Sequence, residues 1–173
     1  MSIEEKQNLQ IFQDSDSTII YPRNEREVAD NIKEFYKSNI PVELMGSGSK
    51  RKIGKPLQCA KILNFSKLNG IIEYLPEELY IKVKACTLIK QIEEELKKNK
   101  QLLAFEPINF GYLFDGKSDY GTAAGQVACN ISGPRRFKVG SVRDHVLGFR
   151  GVNGKGEIIK SGGNVVKMLP DMI

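Results

Sequence analysis

The sequence predicts an α+β fold with two lobes: a small βαβ lobe, followed by a lobe built on a mixed or antiparallel sheet. Three features of the sequence lead to this prediction. A helical stripe lies between two short apolar runs, an alternating segment follows them, and two strand-like runs flank a glycine turn near the C-terminus. The 173 residues are 40% hydrophobic and 27% charged, as is usual for one globular domain or two small lobes sharing a core.

The first lobe opens with the apolar run "STII", a predicted strand, and continues with "NEREVADNIKEFYKS", a predicted helix. Asn24 stands three residues before Glu27, which is the spacing of a capping pair. Val28, Ile32 and Phe35 then recur at helical spacing. "IPVELM" follows as a second strand, so the sequence predicts a βαβ unit that ends at the glycine-rich stretch "GSGSKRK".

Three further strands are predicted in "AKILNF", "GIIEYL" and "YIKVKA", with "PEE" as a hairpin turn between the last two. In "YIKVKA" the residues alternate, so we expect Ile81, Val83 and Ala85 on one face and Tyr80, Lys82 and Lys84 on the other. "TLIKQIEEELKKNK" is typical of a helix that Thr87 caps, with Leu88, Ile92 and Leu96 on one face. "QLLAF" is predicted to be the strand after it.

The second lobe is predicted to begin near Pro107, where the polar and aromatic loop "INFGYLFDGKSD" starts. "YGTAAGQVACNISG" is rich in small residues and is interpreted as turns that allow close backbone approach. "HVLGFRGVNGKGEIIKSGG" predicts two strands around a hairpin turn in which Asn153 and Gly154 take positive φ angles. The predicted boundaries are residues 1–16 for an N-terminal extension, 17–106 for the first lobe and 107–173 for the second.

The charge, the cysteine spacing and the absence of long apolar runs limit the classes to which the protein can belong. A net charge of +5 and a pI near 9.0 suit an anionic ligand without identifying one. Cys59, Cys86 and Cys129 are far apart and form no CxxC pair, so we expect three reduced, buried thiols and neither a disulfide framework nor a metal site. Because no signal peptide is recognisable and no apolar run approaches about 18 residues, a soluble cytoplasmic protein is expected.

The stretch "GSGSKRK" satisfies neither of two well-known phosphate motifs. Arg51 stands where a P-loop needs its second glycine and where the dinucleotide fingerprint needs its third. The physics of an anion cradle remains: small residues let backbone N–H groups converge, Ser47 and Ser49 offer hydroxyls, and residues 50–52 are cations. A mobile turn beside a solvated basic face is the open alternative.

Five motifs occur in order between about Ser17 and Lys167: "PVELMGSGSKRKIG", "LNFSKLNGIIEYLPEELYIKVKACT", "LAFEP", "SGPRR" and "GSVRDHVLGFRGVNGKGE". Together they resemble flavoproteins of the vanillyl-alcohol oxidase and p-cresol methylhydroxylase (PCMH) type. Within that superfamily they are most similar to the FAD-binding subunit of bacterial glycolate oxidase. The resemblance implies a PCMH-type fold, distinct from the Rossmann fold, with FAD as the cofactor.

The resemblance also implies which residues lie at FAD. The first loop would wrap the pyrophosphate, and later turns would lie beside the flavin, the phosphates and the adenosine. The residues that it places there are Met45, Gly46, Ser47, Gly48, Ser49, Lys50, Pro107, Gly121, Thr122, Gly125, Ser132, Gly133, Val142, Asp144 and Ile158. Ser49 stands where covalently flavinylated members carry a histidine, so FAD is expected to be noncovalent. His145 is interpreted as a packing or surface residue, and no catalytic residue is assigned.

The activity implied by the resemblance is oxidation of glycolate or a similar short 2-hydroxy acid to the 2-oxo acid, by hydride transfer to FAD. The implied partners are a second flavoprotein and an iron–sulfur subunit, through which the protein would lie at the inner face of the membrane. Family members continue into the rest of the flavin domain and a substrate-side cap domain, whereas this sequence ends in "MLPDMI". We therefore expect a truncated chain that is a poor enzyme alone.

Other interpretations stay open at this stage. The same fold serves a cell-wall reductase acting on a UDP-sugar and the flavin subunit of a molybdenum hydroxylase, and a degraded gene product without activity is a further alternative. A non-enzymatic module that binds nucleic acid or another anion would use the cations at 50–52 with Arg135, Arg136 and Lys138. Aromatic residues are only 8%, however, tryptophan is absent, and no nucleic-acid motif is recognisable, so no nucleic-acid partner is expected.

Overall fold

The computed structural model describes residues 18–55, 59–114 and 121–163. Helices and small sheets are mixed along the chain, which confirms the predicted α+β class. The elements are β1 (Thr18–Ile20), α1 (Glu25–Lys37), β2 (Val42–Met45), β3 (Lys61–Asn64), β4 (Ile71–Leu75), β5 (Tyr80–Val83), α2 (Ile89–Lys98), α3 (Gly111–Phe114), α4 (Ala123–Cys129), α5 (Arg136–Val139), β6 (Gly148–Val152) and β7 (Ile158–Gly162). Three short 3₁₀ helices cover Phe65–Lys67, Pro76–Glu78 and Val142–His145. The predicted extension at 1–16 lies outside the described residues.

The first sheet contains three parallel strands in the order β1-β3-β2. The predicted order of strand, helix, strand is confirmed, but β3 lies between the two strands of that unit. Its central residues Ile62 and Leu63 are fully buried. A strand with neighbours on both sides and covered faces is typically a continuous apolar run, as "AKILNF" is.

Helix α1 begins as the sequence predicted. Asn24 Oδ1 accepts a hydrogen bond from the Glu27 backbone N–H at 2.9 Å, and the Glu27 carboxylate accepts one from the backbone N–H of Arg23 at 2.8 Å. The helix buries Val28 and Phe35. After the helix the chain turns towards β2, where the Ile40 N–H bonds the Phe35 carbonyl at 2.9 Å.

Strands β4 and β5 form an antiparallel hairpin that turns through Pro76–Glu78, as predicted. Ile81 and Val83 pack against the core, but the predicted alternation is wrong at two positions. Tyr80 is buried, and Ala85 is exposed. Tyr80 directly follows Leu79, whose positive φ redirects the chain, and Ala85 lies beyond the end of β5, where strand periodicity no longer applies.

Helix α2 supplies a core cluster of Ile89, Ile92 and Leu96, so its buried face begins at Ile89 and not at the predicted Leu88. The predicted cap is also wrong, because the N-cap position is Leu88, whose N–H donates to the Gln91 side chain at 3.2 Å. Thr87 is instead fully buried and bonds backbone groups of another turn.

The segment after α2 contains no strand at "QLLAF", contrary to prediction. Gln101 shows why: its backbone N–H bonds the Leu96 carbonyl, and its side chain bonds Tyr74 Oη at 2.8 Å and the Pro76 carbonyl at 2.7 Å. The chain is thus held against the end of α2 and the β4–β5 turn. No sheet edge accepts it as a strand.

Three short helices of the second half were not predicted. α3 lies in the polar and aromatic loop, and α4 and α5 lie in segments interpreted as turns. α4 is built of small residues, which carry little helical amphipathic pattern, and its cap at Thr122 accepts from the Gly125 N–H at 3.3 Å. Short helices of this kind depend on tertiary contacts more than on propensity.

Strands β6 and β7 pair as the predicted antiparallel hairpin. The positive φ in their turn belongs to Gly156, not to Asn153 and Gly154. Asn153 Oδ1 instead accepts from the N–H groups of Lys155 and Glu157 at 2.9 and 3.0 Å, an arrangement that its short amide side chain favours.

The β6–β7 hairpin is joined to α1 by a salt bridge. Arg150 Nη2 lies 2.6 Å from Glu25 Oε2. The three cysteines, all within the described ranges, form no disulfide; Cys86 is buried and Cys59 half-buried, but Cys129 is exposed, so the expectation of burial is wrong there. Across the described ranges, no helix has the length and apolar character that crossing a membrane requires.

Candidate cofactor site

The loop at residues 46–50 follows β2 directly, at the carboxyl end of the parallel sheet. Gly48 has φ +78°, a left-handed conformation that glycine adopts without steric cost. The Arg51 N–H bonds the Gly48 carbonyl and the Ile53 N–H bonds the Lys50 carbonyl, each at 3.0 Å. Two successive turns therefore shape the loop.

A second glycine segment, residues 121–125, is attached to the chain before α2. The Ile89 N–H bonds the Gly121 carbonyl at 3.1 Å, and the Ala123 N–H bonds the Thr87 carbonyl at 2.9 Å. Leu88 and Thr122 form an isolated antiparallel bridge between these bonds. The segment is thus fixed by backbone bonds on a turn of the first predicted lobe.

The two glycine segments meet face to face. A Cβ atom on Gly46 would lie 2.9 Å from Thr122 Oγ1, and one on Gly121 would lie 2.7 Å from Ser49 Oγ. Both distances are shorter than an ordinary carbon–oxygen contact. The structure therefore brings together two segments that are 75 positions apart in sequence, and glycine at the contact positions allows this approach without displacing the Thr122 and Ser49 side chains.

Lys50 extends towards this junction. Its ammonium nitrogen lies 3.4 Å from the place of a Cβ on Gly121 and 3.8 Å from that on Gly125. It also lies 5.5 Å from the centroid of the Phe110 ring, within cation–π distance. A half-buried positive charge thus stands between the loop and the second segment.

Arg51 points to a different partner. Its Nε and Nη2 atoms donate to the two carboxylate oxygens of Glu43, at 2.8 and 2.9 Å, and Glu43 is only 7% exposed. The predicted cluster of three available cations at 50–52 is therefore wrong for Arg51, because a buried carboxylate neutralises it. This pairing also weakens the interpretation of the run as a basic face for nucleic acid.

A third group of predicted site residues is connected near the predicted boundary at Pro107. Pro107 and Ser132 form an antiparallel bridge, and the Gly133 N–H donates to the Glu106 carbonyl at 3.1 Å. The Ser132 hydroxyl accepts from the backbone N–H of Val142, a fully buried residue, at 3.0 Å. Four of the predicted site residues are thus linked to one another.

Asp144 joins this group through Ser141. Its Oδ2 atom accepts from the Ser141 N–H at 2.7 Å and from the Ser141 hydroxyl at 2.8 Å. These two hydrogen bonds lower the pKa of the Asp144 carboxyl from its ordinary value, with smaller contributions from Arg143 and His145. The carboxylate therefore caps the short helix at Val142–His145.

Ile158, a predicted site residue, and His145, which was not predicted to be one, stand apart from these groups. Ile158 pairs with Val152 in the β6–β7 hairpin, and no contact described for it reaches either glycine segment. His145 Nε2 lies 2.8 Å from the Val139 carbonyl oxygen, and its ring is 5.7 Å from that of Phe105. These contacts fit the predicted packing or surface role of His145.

The sequence interpretation missed three residues that shape the site: Glu43, Thr87 as a buried anchor, and Phe110. The role of Glu43 could have been predicted from the sequence, since an acid in the middle of a short apolar strand, eight residues before an arginine, suggests a buried ion pair. The roles of Phe110 and Thr87 could not have been predicted, because their partners are distant in sequence.

The arrangement suits an anionic group. The hydroxyls of Ser47 and Ser49 and the Lys50 ammonium all lie within 4 Å of the place of a Cβ on Gly121. They gather hydrogen-bond donors and one positive charge, as binding of a phosphate group requires. In the parts of the chain that the structure describes, no three His, Cys, Asp or Glu residues cluster as a metal site would require.

Comparison with known proteins agrees with this chemistry. A family model described as "FAD binding domain" matches residues 17–162. The chain is 35% identical to glycolate oxidase subunit GlcE of Escherichia coli (strain K12), over 80% of this chain and 37% of that protein. It is 27% identical to glycolate oxidase subunit GlcD of Bacillus subtilis (strain 168), over 90% of this chain and 32% of that protein. It is 30% identical to D-2-hydroxyglutarate dehydrogenase of Escherichia coli (strain K12), over 86% of this chain and 14% of that protein.

Among solved structures, an alkyldihydroxyacetonephosphate synthase superposes with a TM-score of 0.61 at 19% identity, over 83% of this chain and 25% of that one. This likeness shows the shared PCMH-type fold. The chain spans about a third of the length of the glycolate oxidase subunits that it matches. Because the family model covers most of the chain, and because the glycine segments fit a phosphate-bearing ligand, the chain belongs to the FAD-binding domain family and has FAD as its cofactor.

Proposed function

We propose that this chain is the FAD-holding part of an oxidoreductase that converts glycolate or a similar short 2-hydroxy acid to the 2-oxo acid. The single observation that carries the site assignment is the contact of residues 46–50 with residues 121–125 around Lys50 and Thr122. The support for the activity lies in the names of the relatives, which include glycolate oxidase subunits and D-2-hydroxyglutarate dehydrogenase.

In this proposal the loop after β2 holds the FAD pyrophosphate. N–H groups of Gly46, Ser47, Gly48 and Ser49 point towards its oxygens, the two serine hydroxyls add donors, and Lys50 adds a positive charge. A diphosphate carries about two negative charges, so one ammonium group and several N–H dipoles suit it. Gly121 and Gly125 contribute by having no side chain where the phosphates approach.

The remaining predicted contacts complete the proposed site. Pro107, Ser132 and Gly133 lie beside the flavin and the phosphates, while Val142 and Asp144 lie towards the adenosine. Asp144 acts there by holding the Val142–His145 turn through Ser141, since its carboxylate oxygen Oδ2 is already bonded. Ile158 is proposed as a backbone contact.

Bound FAD supplies the hydride acceptor for the carbon that bears the substrate hydroxyl. The residues of this chain hold and orient the cofactor and limit water around its phosphates. We assign no residue of this chain as the base for the substrate hydroxyl. Partner subunits, namely a second flavoprotein and an iron–sulfur protein, are proposed to take the electrons and to hold the complex at the inner face of the membrane. The "subunit" in the names of two relatives supports such an assembly.

FAD is proposed to bind noncovalently, because Ser49 occupies the loop position at which a covalent bond to histidine would form. The test uses the 173-residue chain, titrated with FAD and followed by equilibrium dialysis and by thermal shift. We expect saturable binding and a raised melting temperature. Acid precipitation of the complex should release all flavin to the supernatant, whereas flavin retained in the pellet would contradict noncovalent binding.

The substrate class is tested on the assembled complex. Dye reduction by the chain co-expressed with its partner subunits should depend on glycolate or another short 2-hydroxy acid and on added FAD. Reduction of an unsaturated UDP-sugar by a supplied nicotinamide hydride donor, or no dye reduction with any 2-hydroxy acid, would overturn the activity while leaving FAD binding intact.

A further inference from the structure

Glu43 is an acid buried in the first sheet. It lies in the middle of β2, opposite Ile62 of β3, and is 7% exposed. Placing a carboxylate in such a position is costly unless it is paired and hydrogen-bonded. Arg51 provides the pair through two parallel hydrogen bonds, and the Cys59 thiol lies 3.9 Å from Oε2.

The ion pair joins the two ends of the loop. Glu43 stands three residues before Gly46, and Arg51 directly follows Lys50, so residues 44–50 form a closed turn whose ends are fixed by one guanidinium–carboxylate contact. The planar guanidinium fixes direction as well as distance, because both of its bonds must be made in one plane.

Lys50 and Arg51 consequently extend to different partners. The Arg51 side chain goes back to β2, whereas the Lys50 ammonium reaches Gly121 and the ring of Phe110. Adjacent residues in an open loop could exchange such roles. Here the buried carboxylate engages one cation and leaves the other at the glycine junction.

We infer that Arg51 is a positioning residue for FAD: by bonding Glu43 it sets the shape of residues 46–50, so that Lys50 is the cation that meets the diphosphate. This inference rests on the proposed function of the loop. It differs from a direct contact, because Arg51 acts through the conformation of the loop and not through its own charge on the ligand.

The expected change in the Kd for FAD depends on the fraction of molecules in which residues 46–50 already have the shape that binds FAD. The apparent Kd is the intrinsic Kd divided by the fraction of molecules whose loop already has the binding shape. If loss of the ion pair reduces that fraction to about one tenth, the Kd for FAD rises about tenfold. The charge on the diphosphate contact, and hence its salt dependence, stays the same.

The experiment is a double-mutant cycle in the full chain with the substitutions Glu43→Gln, Arg51→Gln and both together. FAD Kd is measured by titration at several salt concentrations, well below the melting temperature of each apo variant. Lys55→Gln, which removes an exposed cation close in sequence, is the control for net charge. Arg51→Lys keeps the positive charge but loses the planar guanidinium that makes both hydrogen bonds. It also replaces Glu43→Gln as a probe of the ion pair if that variant does not fold.

Support requires three results together. Each single substitution raises Kd about tenfold, the double substitution is no worse than either single one, and the salt dependence of Kd is unchanged. Arg51→Lys should fall between wild type and Arg51→Gln, and Lys55→Gln should match wild type.

Other outcomes overturn the inference. If Arg51→Gln weakens FAD binding and reduces its salt dependence while Glu43→Gln does neither, Arg51 contacts the phosphate directly. If the variants lower only the apo melting temperature and leave Kd unchanged, the pair is purely structural. If the wild-type chain binds no FAD, the proposed function fails first and the positioning role fails with it.

Discussion

Thr122 Oγ1 lies 2.9 Å from the point where a Cβ on residue 46 would stand, so the absence of a side chain at Gly46 allows the two residues to approach without a shift of Thr122. The two residues belong to segments far apart in sequence, and both were predicted to lie at the cofactor. Their contact closes the candidate site between the loop after β2 and the start of α4.

Gly46→Ala should therefore weaken FAD binding. The added methyl group must push Thr122 away, which opens the junction and displaces the adjacent backbone donors. We expect at least a tenfold rise in Kd, equivalent to about 1.4 kcal/mol. Gly154→Ala is the matched control, since a Cβ there meets nothing within 4 Å, and it should bind FAD as wild type does. Equal affinity of the two variants would place the cradle elsewhere.

Lys50→Gln should reduce both FAD affinity and its salt dependence. Removing a charge-assisted contact of this kind costs about 1.5–3 kcal/mol, or roughly 10- to 150-fold in Kd. Because the lost interaction is ionic, raising the salt concentration should weaken the variant less than wild type. The apo melting temperature should change little. Parallel salt profiles for the two proteins would show that Lys50 does not contact the phosphates.

Thr87→Val should destabilise the fold. The buried Thr87 hydroxyl bonds the Lys84 carbonyl at 2.8 Å and the Gly70 carbonyl at 3.0 Å, and it accepts from the Gly70 N–H at 3.1 Å. Valine fills the same volume, and both carbonyls keep a backbone donor, but the Gly70 N–H loses its acceptor, at a cost of about 1–3 kcal/mol. Urea unfolding measures this loss, and the exposed Thr18→Val should stay within about 0.5 kcal/mol of wild type. An equal effect at both positions would contradict the anchor role.

Asp144→Asn should destabilise the protein in a pH-dependent way. The Ser141 hydrogen bonds lower the pKa of the folded carboxyl below its ordinary 3.8, so its contribution to stability is present above about pH 3.8 and is lost as the pH falls through the folded pKa. Urea midpoints of wild type and variant should differ at pH 7 and pH 5 and converge below pH 3.8. Ser141→Ala, which keeps the backbone donor, should give a smaller gap with the same trend. A gap that does not shrink as the pH falls below 3.8 would show that the charge is not the cause.

The elements that were predicted correctly have local causes. Asn24 and Glu27 cap α1 within three residues, and "PEE" turns its hairpin without help from elsewhere. The errors occur where distant contacts override a local pattern. "QLLAF" resembles a strand but is held by Gln101 against α2, and Thr87 resembles a cap but is buried beneath Gly70.

In the candidate site, too, local features were predicted correctly and those that depend on distant contacts were not. The glycines, serines and cation of the first loop were evident from residue type, and the order of five motifs indicated FAD. The roles of Arg51 and Lys50 were not separable, because three adjacent cations have the same local appearance. Only the burial of Glu43 shows which of them is neutralised.

The sequence by itself determined the α+β class, the family and the glycine segments, since these depend on residue type, period and order along the chain. The tertiary structure decided that β3 lies between β1 and β2, that residues 46–50 meet residues 121–125, and that Lys50 faces the junction while Arg51 faces the sheet. These arrangements depend on backbone pairing between distant segments and on the free-energy cost of burying an unpaired carboxylate. Neither can be recognised from any local stretch of residues.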